Sequence, residues 1–394
     1  MINSPRKNVL LLMEWYDHRF REGIGRFAME HKWIITVNDG CTLPDGWRGD
    51  GIITYFDTRD DIIDYVTNSN VPVVNLSGFR PDISIPSVTG DNVGIGKMAA
   101  DFFIKKGFTR AAYFSTQFHR LQKLRLHGFA RRWLEKTGNK ISPIVPKLDK
   151  RSTPADDWTA LGMYIKEKLI ELPKPIAVFA YCDYDAAKIE TAAFEAGLRI
   201  PEDVAILGVD NDPLVCENDV VPISSVCHDR VRIGYEGAAL LEKLMSRRNV
   251  KAQNIKIMPT RIEERASTRG VYSDDPLAQQ VIAYFNSHLS ERIGVQEMAA
   301  EFGINRRRIE RHFAEKVGHP ISYYLRQLRL CRAYQMIKET NEKLRDVALA
   351  CGFSHAQHLS NSFRAAYGIK PSTLRSTSIP VSLKHSCPCP FTPC

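Results

Sequence analysis

The sequence predicts two architectures in one chain: a two-lobed α/β region over residues 1–268 and an all-α region, a doubled helix-turn-helix, over 276–376. Three observations predict it. Short apolar runs alternate with amphipathic stretches up to residue 268, the pattern of parallel sheets covered by helices on both faces. Met298-Ala299-Ala300-Glu301-Phe302-Gly303-Ile304-Asn305 returns in altered form as Val347-Ala348-Leu349-Ala350-Cys351-Gly352-Phe353-Ser354, with Gly303 and Gly352 49 residues apart. An internal repeat of that length is one supersecondary unit used twice. The net charge, +9, is also unevenly placed: residues 276–376 hold 15 Lys/Arg against 8 Asp/Glu, whereas 1–275 hold 38 against 37.

Taken in order, residues 9–13, 34–37, 52–55, 71–76, 111–114, 177–181, 204–209 and 255–258 read as buried strands. Residues 20–30, 93–106, 124–136, 158–170, 185–196 and 230–244 read as helices. So long a region exceeds one such sheet, so two lobes of similar build are expected, with ligand held beyond the carboxyl ends of the strands. Residues 269–275 read as a linker, because Asp275 followed by Pro276 is a helix start. Helices are then expected at 276–289 and, joining the two repeats, at 320–337, where Ile321, Leu325, Leu328 and Cys331 share a face. Residues 377–394 carry prolines with Cys387, Cys389 and Cys394; with His385 their spacing fits no closed zinc site, and a disordered tail is expected. The remaining cysteines are scattered, which suits reduced thiols. The apolar run 9–13 is too short for an export signal or a membrane span, so a cytoplasmic protein without membrane partners is expected.

Each repeat fits a helix-turn-helix. Ala299 or Ala348 lets a second helix cross closely, Gly303 or Gly352 supplies a left-handed turn, and Asn305 or Ser354 caps the next helix. In that helix Ile309, Phe313 and Val317 face inward, and Arg307 and Arg311 outward. In the second copy Leu359 and Phe363 face inward, and Gln357, Asn361 and Arg364 outward. An exposed arginine can grip guanine O6 and N7, and an amide can grip adenine, in the major groove. Arg306 and Arg308 flank this face as phosphate contacts. The plain alternative is a solvated charged face. The basic excess of the region favours a partner rich in phosphate.

Gly352-Phe353-Ser354, Leu359, Phe363-Arg364 and Tyr367-Gly368-Ile369-Lys370-Pro371-Ser372-Thr373-Leu374-Arg375 resemble the string that closes the AraC-type DNA-binding domain. The resemblance covers residues 276–376. Ala356, His358 and Asn361 depart from the side chains frequent at those base-reading positions, so the target sequence does not carry over from relatives.

A second resemblance lies upstream. Asp91-Asn92-Val93-Gly94 with Gly96, Ala99-Ala100 and Gly107 is similar to the LacI and periplasmic sugar-binding superfamily. So are Arg125-Leu126-His127-Gly128-Phe129, Gly208-Val209-Asp210-Asn211-Asp212 and Ser224-Ser225-Val226 with Gly234. It implies a periplasmic-binding-protein-like sensor in which Arg125, Asp183, Asp210 and His228 hold a sugar, joined by Tyr16, Asp17 and Arg19 after the first strand. Trp15, Phe118, Trp158 and Tyr184 are stacking candidates. Structural alternatives stand beside these roles: Asp210 as a cap, His228 as a core histidine, Asp183 paired with Lys188.

A sensor placed ahead of an AraC-type reader resembles bacterial sugar-operon regulators. The resemblance implies an activator that binds D-xylose, forms a homodimer, occupies repeated half-sites in promoter DNA and works with RNA polymerase. Two rival classes stand against this. An enzyme would need a phosphate-cradling loop, a nucleophile–base pair or a metal cluster; Gly94-x-Gly96 lacks the third glycine, no metal site stands out, and no cofactor is expected. A transport-type binding protein would have no use for the basic repeat.

Overall fold

The computed structural model describes residues 6–38, 42–116, 119–146, 158–246, 253–270, 272–273, 275–291 and 293–375. The tail from residue 377, Phe118 and the Trp158 side chain lie outside them.

The α/β region runs β1 (Asn8–Met13), α1 (His18–His31), β2 (Ile34–Asn38), β3 (Gly51–Tyr55), α2 (Asp60–Thr67), β4 (Val73–Asn75), β5 (Ser87–Gly90) and α3 (Asn92–Lys105). It continues with β6 (Ala111–Phe114), α4 (Arg120–Thr137), β7 (Ser142–Ile144), α5 (Trp158–Glu171), β8 (Ile176–Ala180), α6 (Asp183–Glu195) and β9 (Val204–Val209). It ends with α7 (Pro213–Cys216), β10 (Ser224–Val226), α8 (Arg230–Ser246), β11 (Asn254–Ile257) and β12 (Ile262–Glu263). Two compact units result. The first takes residues 1–98, 117–129 and 227–261, the second 99–116, 130–226 and 262–394.

The first unit holds a six-stranded parallel sheet in the order β11-β5-β4-β3-β1-β2. Alternation along β1 sends Val9, Leu11 and Met13 into a core with Phe20, Ile24 and Phe27 of α1 and Ile233 and Leu241 of α8. Leu10 and Leu12 point the other way, into a core with Ile62 and Val66 of α2. Helices α1 and α8 cross so closely that a Cβ on Gly23 would lie 1.9 Å from the Val231 carbonyl oxygen, and one on Gly234 2.2 Å from that of Phe20. Helices α3 and α4 repeat the device with Gly96 against Arg125 and Gly128 against Val93. The second unit's sheet runs β12-β10-β9-β8-β6-β7, parallel except for β12.

The α/β region departs from expectation in which strands are buried and in which elements it contains. Strands β2 and β11 are not buried: they are sheet edges, and Ile34 and Val37 are about half exposed. Strands β5, β7, β10 and β12 and helices α2 and α7 were not foreseen. Strand β10 is buried yet polar, because its hydroxyls find partners: Ser224 Oγ meets Thr268 Oγ1 at 2.7 Å, and Ser225 Oγ donates to Asp183 at 2.6 Å. Such a strand carries no apolar signal.

The helical region comprises α9 (Pro276–Ser287), α10 (Val295–Glu301), α11 (Arg306–Val317), α12 (Ile321–Glu339), α13 (Leu344–Ala350), α14 (Ala356–Tyr367) and α15 (Pro371–Arg375). Asp275 caps α9, accepting from the Ala278 amide at 2.8 Å. Gly303 and Gly352 turn at φ 62° and 73°, as the repeat requires. Helix α12 departs from the expected single apolar face. Ile321, Tyr324, Leu325 and Leu328 complete the core around Val281, Phe285, Met298, Ile309 and Phe313. Leu330, Cys331, Ala333, Tyr334 and Ile337 complete the core around Val347, Leu359 and Phe363. Its two halves thus serve two cores.

Phe313 and Phe363 are fully buried, one in each core. Phe313→Ala and Phe363→Ala should each cost about 3–5 kcal/mol of folding stability. Urea titration followed by circular dichroism will show this, and a loss below about 1 kcal/mol would mean that the aromatic is not an anchor.

Candidate DNA-reading face and sensor residues

Asn305 opens α11: its side-chain oxygen accepts from the Arg307 and Arg308 amides at 3.0 and 3.4 Å. With Ile309 and Phe313 buried beneath, Arg306, Arg307, Arg308 and Arg311 are all left exposed. Arg306 pairs with Glu310 at 3.1 Å, and Arg311 lies 4.0 Å from Glu315. Surface pairs of this spacing are worth a few tenths of a kcal/mol, so a phosphate or a guanine edge displaces them at little cost.

The second reading helix begins one residue later than expected. Ser354 is not its cap: His355 is, its ring nitrogen accepting from the His358 amide at 3.1 Å. The Ser354 hydroxyl instead meets the His358 ring at 3.0 Å. Gln357, His358, Asn361 and Arg364 are exposed over the buried Leu359 and Phe363. Gln357 donates to the Asn361 side chain at 2.9 Å, so the two amides form one polar tip.

In the first unit Tyr16 is exposed, and Asp17 is buried at the start of α1. Arg19 donates to both Asp17 oxygens at 2.7 and 3.0 Å, and Arg230 of α8 donates to Asp17 as well. Arg230 also lies over the Trp15 ring, 4.7 Å from its centre. Both Asp17 oxygens are therefore engaged within the fold, binding α1 to α8. Burial alone would raise the Asp17 carboxyl; the Arg19 hydrogen bonds and the Arg230 charge outweigh it and hold it at about 2. Arg125 is buried and donates to the Asn92 side chain at 2.8 Å. Asn92 in turn donates to the Gly90 carbonyl, and Gly90 packs so closely on His228 that a Cβ there would lie 1.9 Å from its Nε2. Arg125, Asn92 and His228 thus gather around the end of β5.

In the second unit Asp183 is buried at the start of α6. It accepts from the Ser225 hydroxyl at 2.6 Å and from the Asp212 amide at 2.8 Å. Burial, and then the charge of Asp210, push its carboxyl up. Lys188 does not pair with Asp183; it bonds Asp185 at 2.9 Å. Nor is Asp210 the cap of the next segment, a role held by Asp212, which accepts from the Leu214 amide at 3.0 Å. Asp210 and Asn211 both stand in the left-handed region, at φ 106° and 51°. Two consecutive non-glycine residues in that region are strained, and such strain gathers at binding sites. Cys182 and Cys216 stand nearby, and burial pushes both thiols up, so they are poor nucleophiles. Tyr184, the stacking candidate beside them, is mostly exposed. Asn92, Asp212 and Ser225 lie inside the strings that carry the sugar-sensor resemblance but were not singled out as members of these clusters, and nothing local in the sequence points to Arg230.

With that geometry in place, comparison with known proteins is informative. Residues 100–268 match the periplasmic binding protein-like domain family and residues 298–377 a helix-turn-helix domain family. The xylose operon regulatory protein of Escherichia coli K12 is 25% identical over 385 residues, covering 93% of this chain and 96% of that one. The chain is a homologue of the xylose operon regulatory proteins. Their counterpart in Haemophilus influenzae is 24% identical over 382 residues, covering 91% and 95%. The solved structure of a xylose-binding transcription activator shares the fold: TM-score 0.68, 24% identity, 94% of this chain and 98% of that one. The complex of the regulator CelR with cellobiose shares the fold over 67% of this chain and 86% of that one, at TM-score 0.53 and 22% identity. The homologues are transcription regulators with this sensor and this reader, not enzymes. Among the described residues no helix is long and apolar enough to cross a membrane.

The Asp17 network has a signature in pH. Its folded carboxyl titrates at about 2, below the ordinary 3.8. The stability it contributes, about 2 kcal/mol, is complete above the unfolded value and drains away as pH falls through the folded one. Denaturation of the wild type and Asp17→Asn between pH 2 and 7 should show curves that differ at pH 5–7 and converge towards pH 2. Parallel curves would remove the ion-pair account.

Proposed function

We propose that the chain is a sugar-responsive activator of pentose uptake and breakdown genes, with D-xylose as its ligand. The reading rests on one conjunction: homology to xylose operon regulators along nearly the whole chain, joined to a doubled reader that exposes arginine and amide tips. The parts we assign are residues 1–268 as sensor, 269–275 as linker and 276–376 as DNA-binding domain. Arg125, Asp210 and His228 make up the ligand set, with Tyr16 from the loop after β1 and Arg19 from the first turn of α1; Asp183, its two oxygens taken by Ser225 and the Asp212 amide, is assigned to positioning the residues beside it. A monosaccharide presents several hydroxyls, and a carboxylate, an imidazole and a guanidinium satisfy both their donor and acceptor sides. Asp17, with both oxygens engaged, is assigned to holding Arg19 and Arg230 in place. On DNA, Arg307, Arg311, Gln357, His358, Asn361 and Arg364 read bases, and Arg306 and Arg308 hold phosphates. The protein works in the cytoplasm as a homodimer on repeated promoter half-sites and engages RNA polymerase.

The linker supports a route from sensor to reader. Tyr272 is buried, donates its amide to the Lys106 carbonyl at 3.0 Å, and lays its ring on Phe108 with centres 3.9 Å apart. Three residues on, Asp275 caps α9 and also meets His312 of α11 at 2.8 Å. A shift at the end of α3 therefore reaches a reading helix through a short, anchored segment. Sugar can drive such a shift only by binding one arrangement more tightly than the other.

Of the common monosaccharides, D-xylose should give the largest thermal shift of the purified protein. Asp210→Ala should abolish that shift while leaving DNA affinity within about threefold of wild type, a change under 1 kcal/mol. An unmoved melting curve with every pentose would sink the ligand assignment and favour another monosaccharide or a nucleoside. Mobility shifts on promoter repeats of varied spacing, with and without sugar, test the coupling: Tyr272→Ala should keep basal DNA binding and lose the sugar-dependent change.

A further inference from the structure

The two reading units have separate cores and share only α12. Arg329 sits at the seam, between Leu328, which belongs to the first core, and Leu330, which belongs to the second. Its guanidinium Nη2 donates to the Glu291 carbonyl at 2.9 Å and to the Ile293 carbonyl at 2.8 Å. Both carbonyls lie in the segment between α9 and α10, part of the first unit. The other edge of the same guanidinium lies against the turn of the second unit: a Cβ placed on Gly352 would fall 2.6 Å from Arg329 Nε and 2.9 Å from the Leu289 carbonyl oxygen. One planar cation is thus clasped between the entry loop of one helix-turn-helix and the turn of the other.

We propose that Arg329 is a positioning residue that fixes the distance and angle between α11 and α14, and so sets which spacing of base-contact boxes the protein accepts. Its guanidinium is turned to the Glu291 and Ile293 carbonyls and to the Gly352 turn. It acts by removing the freedom of the two units to pivot about α12. Nη2 spends both of its N–H groups on the two carbonyls, and the flat remainder of the guanidinium fits against the turn at Gly352, which leaves no room there for a side chain of its own.

The inference rests on the reading that both units engage DNA, and the test separates the two. The full chain's preferred site is first selected from random duplexes. Affinity is then measured on that site, on versions with one or two base pairs inserted or removed between the boxes, and on a single box. The wild type should prefer its own spacing by at least about tenfold, since each tenfold is about 1.4 kcal/mol. Arg329→Met, which keeps the apolar stem, should bind the preferred site about tenfold more weakly, flatten the spacing profile and leave single-box affinity unchanged. Arg329→Lys, with one point donor, should restore part of the preference. A spacing profile of Arg329→Met that parallels the wild type's would overturn the brace. So would a parallel loss of single-box binding with a lowered melting temperature, because the residue would then serve only the fold. A wild type indifferent to spacing would overturn the two-reader reading itself.

Discussion

Everything on the DNA side depends on one helix being shared. Each helix-turn-helix has two short helices and too little apolar surface to hold itself together. Helix α12 supplies the missing wall to both: Ile321, Tyr324, Leu325 and Leu328 to one, Leu330, Tyr334 and Ile337 to the other. The consequence is geometric as well as energetic. Two readers built on one rod share one axis, and the rise of a helix per residue sets their separation along it. Major-groove readers have to match a repeat of about 34 Å, so a rigid spacer has functional value.

The α/β region is organised by a different constraint, the close approach of helices through glycine. Gly23 and Gly234 bring α1 against α8, and Gly96 and Gly128 bring α3 against α4. In each pair a methyl group would collide with a backbone carbonyl on the facing helix. The glycines thereby set where the first residues of those helices stand. Asp17 and Arg230 meet because α1 and α8 cross so closely, and Arg125 meets Asn92 for the same reason in α3 and α4. Residues proposed to hold ligand are placed by contacts that lie a turn or more away from them.

Much of this was legible in the sequence because it depends on residue type. A glycine at a left-handed turn, a small residue at a crossing and an aromatic anchor each leave a mark, and the marks recur at Gly303 and Gly352, Ala299 and Ala348, Phe313 and Phe363. What stayed hidden depends on partners far along the chain. Arg230 reaches Asp17 across 213 positions, and nothing local announces it. Strand β10 was invisible because Ser224 and Ser225 hide their polarity in hydrogen bonds. The cap at His355 was missed because histidine is an uncommon cap and the neighbouring Ser354 a common one. In helix α12 the stripe at Ile321, Leu325 and Leu328 hides a second one at Leu330, Tyr334 and Ile337, because the two are offset and together wrap most of the helix.

The electrostatics of the second unit bear on what kind of ligand suits it. Asp183 is buried, and the neighbouring Asp210 charge opposes its ionisation. Asp212 stands beside them, giving its amide to Asp183. Such a cluster repels a phosphate or a carboxylate on approach, and bringing a further anion beside buried carboxylates is costly. It rewards a neutral molecule with hydroxyl donors, which lends protons in hydrogen bonds without adding charge. The strained backbone at Asp210 and Asn211 fixes the direction in which the side chains leave the strand, so their aim does not have to be acquired on binding. If this cluster is the ligand site proposed above, it is selective by charge first and by hydroxyl geometry second, and an unphosphorylated sugar meets both conditions.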